Sequence, residues 1–277
     1  MRIAVTGSKG QLGRLVVKAL QADHEVVPLD VPEFELTSPD CIAQLAASKP
    51  DLVVHNAAMT DVDACARDPA LAFRINAFGT QSVALACQKA NAAMLFVSTN
   101  EVFDGEKQAP YLEFDTPGPL NAYAKSKLAG EWFTQHLLQR FYIVRTSWLY
   151  DRGGGKFPDK VIDLARRETS LSYVTDEVAC PTYAPDLVEA MLKLIAAERY
   201  GIYHLVNSGS CSRYEWVVEI LRLAHIPRPV KPIKLSDYHR ASRPPLNGAL
   251  ENFAAATTLG ITLRSWQDAL AAFFKSE

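Results

Sequence analysis

The sequence predicts an α/β fold: a doubly wound parallel sheet that carries a smaller, discontinuous cap. Two observations support this prediction. Short apolar runs alternate with stretches of helical periodicity through the first half of the chain, which is typical of strands covered by helices on both faces. A glycine-rich turn also joins the first apolar run, residues 3–5, to the first helical stretch. Sheets of this kind bind ligands at the carboxyl ends of their strands.

Three glycines, Gly7, Gly10 and Gly13, define this turn at G-x-x-G-x-x-G spacing. Because glycine has no Cβ, the chain can turn sharply, and a pyrophosphate can approach the free N–H groups at the start of the helix. The second strand, residues 24–30, ends on Asp30, where such folds place the carboxylate that binds the adenosine ribose. The order of these features predicts a Rossmann-type dinucleotide site. Asp30 would repel a 2′-phosphate, which favours NADH over NADPH.

Composition and charge narrow the class of protein. The chain has 277 residues, 48% of them apolar, and a formal net charge of -2 with lysine and arginine spread along its length. We therefore expect a globular protein with a small-molecule partner and without a nucleic-acid or membrane partner. The sequence shows no apolar segment of secretory or membrane-spanning length, so cytoplasmic location is the default expectation. The five cysteines form no C-x-x-C pair and the six histidines are scattered, which predicts reduced thiols and no catalytic metal.

The next segments continue the alternation of helices and strands. Residues 38–47 predict a helix, residues 50–55 a third strand, and residues 56–60 a loop of small side chains at that strand's carboxyl end. Such a loop lines the ligand crevice of an open parallel sheet. A long helix is predicted from Asp68 onward. Asn76 within it is either an ordinary polar position or a member of the site.

A Tyr-x-x-x-Lys pair supplies candidate catalytic groups. Tyr123 and Lys127 are four positions apart in a helix predicted to begin near Asn121, so their side chains lie on one helix face. A nearby ammonium would lower the pKa of the phenol and make it a better proton donor and acceptor. Thr99 follows the fourth predicted strand, residues 93–97, and could hydrogen-bond the carbonyl oxygen that the phenol protonates.

With these residues in place, the chain resembles an extended short-chain dehydrogenase/reductase and is most similar to the dTDP-4-dehydrorhamnose reductase family. The resemblance covers essentially the whole length. The run from Tyr123 to Glu131 is more specific than the glycines. The matching segments are residues 6–13 (TGxxGQLG), 29–30 (LD), 56–63 (NAAxTxVD), 98–105 (STxxVFxG), 119–123 (PLNxY), 125–131 (KSKLAGE), 145–150 (RTSWLY), 181–182 (PT), 201–205 (GIYHL) and 241–244 (ASRP).

The resemblance implies NAD(P)H-dependent reduction of the C4 ketone of a nucleotide-linked 4-keto-6-deoxy sugar, dTDP-4-dehydrorhamnose to dTDP-rhamnose. It implies Tyr123 as the proton donor, Lys127 on the nicotinamide ribose and Thr99 at the substrate carbonyl. Either NADPH or NADH is allowed, and a homodimer is among the expected assemblies. The implied cofactor-binding residues are Gly7, Gly10, Gln11, Leu12, Gly13, Asp30, Glu35, Leu36, Ala58, Met59, Thr60, Tyr123 and Lys127. The implied substrate-binding residues are Val62, Thr99, Asn100, Glu101, Trp148 and Arg243.

The chain departs from the family on the substrate side, where an expected Asp-Tyr pair after Thr99 is Asn100-Glu101. We therefore hypothesise that Glu101 alters sugar recognition. Two alternative functions remain open. One is a non-catalytic, dinucleotide-binding regulatory subunit. The other is a sugar-nucleotide dehydratase or epimerase, which the missing acid at Asn100 disfavours because an amide cannot donate a catalytic proton as a carboxylic acid does.

The second half of the chain is predicted to complete the sheet and build the cap. It contains two further strand patterns, at residues 172–175 and 201–206, and a proline-rich loop whose Arg240 and Arg243 could meet a diphosphate through forked donors. Helices are predicted over residues 185–197, after a capping box at residues 212–215, and from Ser265 onward. The predicted division is a dinucleotide-binding domain of residues 1–147 and 171–198 and a substrate-binding domain of residues 148–170 and 199–277.

Overall fold

The computed structural model describes residues 1–152, 157–238 and 240–275. Strands and helices alternate along the chain, as the sequence predicts. The strands are β1 Arg2–Thr6, β2 Glu25–Leu29, β3 Leu52–His55, β4 Ala93–Thr99, β5 Phe141–Thr146, β6 Leu149–Tyr150, β7 Leu171–Val174, β8 Val178–Ala179, β9 Thr182–Tyr183, β10 Gly201–His204, β11 Cys211–Ser212 and β12 Val230–Ile233.

Helices cover both faces of the main sheet and form most of the cap. A π-helical turn, Arg74–Phe78, joins two of them, and short 3-10 turns follow β4 and β12. The helices are α1 Gln11–Leu20, α2 Cys41–Ala47, α3 Val62–Arg67, α4 Pro69–Phe73, α5 Gly79–Ala90, α6 Ala122–Leu137, α7 Phe157–Arg167, α8 Ala184–Ala197, α9 Arg213–Leu223, α10 Phe253–Leu259 and α11 Trp266–Lys275.

The main sheet confirms the predicted doubly wound α/β class. Within the described residues it has six parallel strands in the order β10-β5-β4-β3-β1-β2. The chain leaves β1 for β2 on one side and returns to β3 on the other. A parallel sheet binds its ligand where the strand order reverses in this way. The crevice therefore lies between the carboxyl ends of β1 and β3.

Two apolar layers sandwich the sheet. One layer packs α1 and α8 against side chains such as Val5 and Leu95, and the other packs α2 and α5 against side chains such as Val53 and Met94. All four of these side chains are fully buried, and each contributes about 1.5–3 kcal/mol relative to an exposed position. The two-sided burial holds the strand ends of the crevice in fixed positions.

The cap has its own apolar core. Trp216 of α9, Tyr150 of β6 and Phe273 of α11 lie at its centre, and the predicted capping box opens α9 through Ser212 and Glu215. None of the helices in the described parts of the chain is long and apolar enough to cross a membrane. The five cysteines are all buried with free thiols.

Two strands belong to a different sheet from the one that the predicted domain division implies. β10 is an edge strand of the main sheet, paired with β5, and β7 pairs with β12 of the cap instead of completing that sheet. Short strands of similar composition do not reveal their partners, because pairing depends on where the intervening helices pack. The division into two domains remains a prediction.

The sequence-based prediction misplaced the start of one helix and missed another helix. The helix predicted over residues 38–47 begins at Cys41, because Ser38 and Asp40 form a turn in which the Ser38 hydroxyl accepts from the Asp40 N–H. A short helix that the sequence reading missed, α3, follows the 56–60 loop. Asp61 caps it by accepting from the Ala64 N–H at 2.8 Å.

Candidate active site

The glycine turn lies at the crevice, where the backbones of β1 and β3 come close together. Gly7 has a φ of +65°, and a Cβ there would collide with the backbone of Ala57, while a Cβ at Gly13 would collide with the Gly7 carbonyl. Gly10 precedes the first residue of α1, and its N–H donates to the Gly7 carbonyl oxygen at 3.0 Å. The turn therefore presents the N-terminus of α1, beginning at Gln11, to the crevice, where free N–H groups favour an anion.

Asp30 stands at the carboxyl end of β2, beside the glycine turn. Its two carboxylate oxygens accept from the Lys9 N–H at 2.6 Å and the Val31 N–H at 2.8 Å. The Lys9 ammonium lies nearby, 2.9 Å from a Glu33 oxygen. A carboxylate and an ammonium thus share the position predicted for the adenosine ribose, so the charge of Asp30 does not act alone on a 2′-phosphate.

The loop after β3 carries three further residues predicted to bind the cofactor, Ala58, Met59 and Thr60, and Asn76 holds this loop in place. The Asn76 amide accepts from the Met59 N–H at 2.8 Å and donates to the Met59 carbonyl at 3.0 Å and to the Ser126 hydroxyl at 3.0 Å. Asn76 lies in the π-helical turn, a feature that is frequent at functional sites. It therefore fixes the loop holding Ala58 and Thr60 against α6.

The residues predicted for the adenine edge differ in exposure. Leu36 is buried and packs beside Gly79 at the start of α5. Glu35 is exposed and accepts from the Thr37 N–H and hydroxyl. Leu12 is buried in the sheet core instead of facing the crevice through its side chain. Contacts of these residues with a cofactor remain predictions.

Thr99 and Tyr123 come together at the end of β4. Asn121 caps α6 by accepting from the Ala124 N–H at 2.9 Å, which sets Tyr123 on the first turn. The Tyr123 phenol lies close enough to the Thr99 side chain for Thr99 to affect its pKa. Burial raises the pKa of Tyr123, the negative charge of Glu101 raises it further, and the Thr99 side chain opposes both.

Lys127 lies on the same helix but its ammonium meets β4. It donates to the Val97 carbonyl oxygen at 2.7 Å and lies 4.0 Å from the centre of the Phe96 ring. The predicted lowering of the Tyr123 pKa by Lys127 is wrong for this structure, because burial and Glu101 disfavour the phenolate. Burial lowers the pKa of Lys127 itself to about 7, against the opposing charge of Glu131.

A buried ion pair between Glu131 and Arg145 joins α6 to β5. The sequence analysis assigned these two residues no role. Both oxygens of Glu131 accept from Arg145 of β5, at 3.0 and 2.7 Å, and the Ser98 hydroxyl donates to the same carboxylate at 2.5 Å. The side chains of Glu131 and Arg145 are only 0% and 3% exposed. The sequence did contain a signal for this pair, because Glu131 and Arg145 lie in segments 125–131 and 145–150, which match the family.

Charged side chains from both parts of the chain converge beyond Tyr123. Glu101 is partly buried and accepts from the Asn121 amide at 2.7 Å. Burial raises the pKa of Glu101, while Asn121 and the cation of Arg240 oppose the shift. Arg213 at the start of α9 pairs with Glu177 at 3.3 Å. The sequence reading missed both Arg213 and Glu177.

Trp148 is held in an unusual conformation beside these charges. Its φ of +39° lies in the left-handed region, which costs a non-glycine residue roughly 1–2 kcal/mol. The Arg213 guanidinium lies 3.5 Å from the centre of its ring, and Trp216 stacks on it at 5.5 Å. Backbone strain that packing maintains in this way is concentrated at functional sites.

The other predicted substrate residues belong to three separate segments. Asn100 is buried and donates to the Gly248 carbonyl at 3.0 Å. Val62 begins α3 and is partly buried. Arg243 is exposed and lines a cavity of about 680 Å³.

Several buried polar atoms near the strand ends have no hydrogen-bond partner. They belong to Gln11 and Asn56 at the crevice and to Thr146 and Ser147 at the carboxyl end of β5. Buried polar groups are normally paired, so these atoms fit a polar ligand such as a dinucleotide with a substrate beside it. In the described ranges, we find no group of three or more His, Cys, Asp or Glu side chains that could hold a metal ion.

Comparison with known proteins agrees with this geometry. A family model described as "RmlD substrate binding domain" matches residues 1–277. The dTDP-4-dehydrorhamnose reductase of Aggregatibacter actinomycetemcomitans is 34% identical over 285 residues, covering 97% of this chain and 97% of that protein.

Solved structures show the same architecture. A dTDP-4-dehydrorhamnose reductase from Clostridium acetobutylicum superposes with a TM-score of 0.96 at 37% identity, covering 99% of both chains. The enzyme from Bacillus anthracis, solved in complex with NADP, superposes with a TM-score of 0.93 at 34% identity, covering 99% of this chain and 98% of that one. The chain therefore belongs to the RmlD substrate binding domain family, together with the dTDP-4-dehydrorhamnose reductases that it matches along its whole length.

Proposed function

We propose that this protein is an NAD(P)H-dependent reductase of a dTDP-linked 4-keto-6-deoxy sugar, converting dTDP-4-dehydrorhamnose to dTDP-rhamnose. The observation that carries the proposal is that Thr99, the last residue of β4, lies beside the Tyr123 phenol and lowers its pKa at the strand end next to the crevice. Membership of a family of sugar-nucleotide reductases supports it. A bound nicotinamide supplies the hydride for C4 of the sugar.

The residues of this chain would hold the ketone and deliver the proton. Thr99 would orient the carbonyl oxygen, and Tyr123 would protonate that oxygen as C4 accepts the hydride. Burial raises the pKa of Tyr123, so the phenol stays protonated at neutral pH and is ready to act as the acid. Lys127, with a pKa of about 7 set by burial, would lie at the nicotinamide ribose.

Both NADH and NADPH are proposed as cofactors. The Bacillus anthracis relative was solved with NADP, and Lys9 stands beside Asp30 where a 2′-phosphate would approach. The glycine turn, Gln11 and the 58–60 loop would hold the dinucleotide. Titration calorimetry with each dinucleotide measures the preference.

Cofactor consumption tests the activity. A panel of 4-keto sugar nucleotides, with product stereochemistry assigned by NMR, should give NAD(P)H oxidation with dTDP-4-dehydrorhamnose. Tyr123→Phe should lower kcat by about a hundredfold or more, because it removes a positioned acid. Tyr200→Phe, at a surface tyrosine, is the matched control and should retain native turnover. Full turnover in Tyr123→Phe would show that the proton donor is misassigned.

The same panel separates the two alternative functions. Dinucleotide binding without oxidation on any sugar nucleotide would favour the regulatory subunit. Loss of water or inversion without net cofactor consumption would favour dehydratase or epimerase chemistry. Asn100 weakens the latter, because its amide is buried against the Gly248 carbonyl and cannot act as an acid.

We also propose a homodimer. Phe78 and Trp132 are 55% and 54% exposed near α5 and α6, and large exposed aromatic side chains that lie together favour association. Light scattering on the purified protein measures the assembly.

A further inference from the structure

A strap, which we define as residues 240–248, passes α3 and the carboxyl end of β4. Arg243, Leu246 and Asn247 of the strap line the 680 Å³ cavity, whose size is typical of small-molecule sites. Lys107 also lines this cavity; its carbonyl oxygen accepts from the Asn247 amide at 2.6 Å, and its ammonium is already paired with Asp115 at 2.5 Å. Among the described residues, Arg243 forms no ion pair, so its forked donors remain available to an anionic ligand.

Asp63 fastens the strap beside the cofactor loop. One of its carboxylate oxygens accepts from both the N–H and the hydroxyl of Ser242, at 3.0 and 2.8 Å, and Arg240 lies 3.6 Å from the same oxygen. Ser242 is only 5% exposed and the Asp63 side chain is 37% exposed, so the contact is shielded from water on the Ser242 side. It joins residues 179 positions apart in the chain.

Two further bonds place the strap relative to the reacting groups. Asn121, which caps the helix of Tyr123, donates to the Arg243 carbonyl at 3.1 Å. Asn100, which follows Thr99, donates to the Gly248 carbonyl at 3.0 Å. The strap is therefore held by the neighbours of both groups that would bind the ketone.

We propose that Asp63 is a positioning residue that holds the strap so that Arg243 and the cavity receive the nucleotide half of the substrate while the ketone lies at Tyr123. This inference rests on the proposed reduction of a dTDP-sugar. In this role Asp63 acts through its bonds to Ser242 and is not itself a substrate ligand.

The test measures binding and turnover separately. The probes are dTDP alone and NADPH, titrated calorimetrically into the full-length protein, with steady-state kinetics on dTDP-4-dehydrorhamnose. Asp63→Ala should raise the Kd of dTDP and the KM of the sugar nucleotide by about tenfold or more, since it removes two hydrogen bonds to a charged acceptor. Its kcat and its Kd for NADPH should change by less than about threefold.

Matched variants separate positioning from general damage. Asp63→Asn keeps an oxygen that can accept both Ser242 bonds and should restore KM to within about threefold of the native value. Asp61→Ala removes the neighbouring helix cap but leaves the strap contact, so its KM should equal that of the native protein. If Asp63→Ala does not fold, Ser242→Ala removes one of the two bonds and should raise KM by about threefold or more.

Several results would overturn the proposal. These are native dTDP affinity in Asp63→Ala, no dTDP binding by the native protein, or equal weakening of dTDP and NADPH. If dTDP binding follows the expected pattern but no 4-keto sugar nucleotide is reduced, the proposed reaction fails while the role of Asp63 stands. If reduction proceeds and KM is insensitive to Asp63→Ala, the role of Asp63 fails while the reaction stands.

Discussion

Replacing Lys127 with methionine should stabilise the fold although it abolishes turnover. Lys127 is 3% exposed, and burial lowers its pKa from 10.5 to about 7 while Glu131 opposes the shift. The unfolded chain therefore binds a proton more tightly at this position than the folded chain does. Folding pays for the buried ammonium at every pH at which the unfolded lysine is charged.

The size of the effect follows from the contacts of the ammonium. The pKa of Lys127 falls from 10.5 to about 7 on folding. This difference means that keeping the buried amine charged below pH 7 costs about 5 kcal/mol of stability. Methionine carries no charge and so avoids this cost, but it cannot donate to the Val97 carbonyl oxygen at 2.7 Å. The loss of that bond costs about 1 kcal/mol. Methionine also loses the contact with the Phe96 ring at 4.0 Å, about 2 kcal/mol. The net gain at pH 6 is about 2 kcal/mol.

The sign of the effect depends on pH. Between pH 7 and 10.5 the unfolded state carries more protons, so the native protein becomes more stable as pH rises. The advantage of Lys127→Met is therefore greatest below pH 7 and shrinks as pH approaches 10.5. Near the upper limit, the lost contacts should make the variant slightly less stable than the native protein.

Urea unfolding without cofactor, followed by circular dichroism at pH 6 and at an alkaline pH, measures this difference. Lys125→Met, at an exposed position on the same helix, is the matched control and should change stability by less than about 0.5 kcal/mol. Cofactor oxidation, measured in parallel, should be lost only in Lys127→Met. The reasoning is refuted if Lys127→Met is less stable than the native protein at pH 6, or if the difference does not change with pH.

Substitutions at Glu101 and Arg145 test the surroundings of this helix. Glu101→Gln removes a negative charge that raises the pKa of Tyr123, so the alkaline fall of kcat/KM should move to lower pH, and an unmoved limb would contradict the assigned coupling. Glu101→Tyr, assayed on the sugar-nucleotide panel, tests altered recognition, which fails if the substrate preference is unchanged. Arg145→Met leaves the carboxylate of Glu131 buried without its cation and should cost about 3–5 kcal/mol in urea unfolding. Adding Glu131→Gln should recover much of that loss, and a simple addition of the two effects would argue against a shared ion pair.

Sequence patterns were sufficient for the features that depend on neighbours along the chain. The glycine spacing from Gly7 to Gly13 predicted the turn between β1 and α1 because steric freedom is a local property. The four-residue spacing predicted that Tyr123 and Lys127 share a helix because helical periodicity is local. The alternation of apolar runs predicted the doubly wound sheet, and whole-chain motifs predicted the family. These are the parts of the molecule for which periodicity and resemblance agree.

Only the tertiary structure decided which groups meet and how their charges behave. Lys127 and Tyr123 share a helix, yet the ammonium bonds to Val97 of a neighbouring strand and the pKa of the phenol is raised. The bond from Ser242 to Asp63 spans 179 residues and leaves no periodic trace in the sequence. Burial and charge pairing depend on every element packed around a group, so they become defined only when the sheet and the cap have come together.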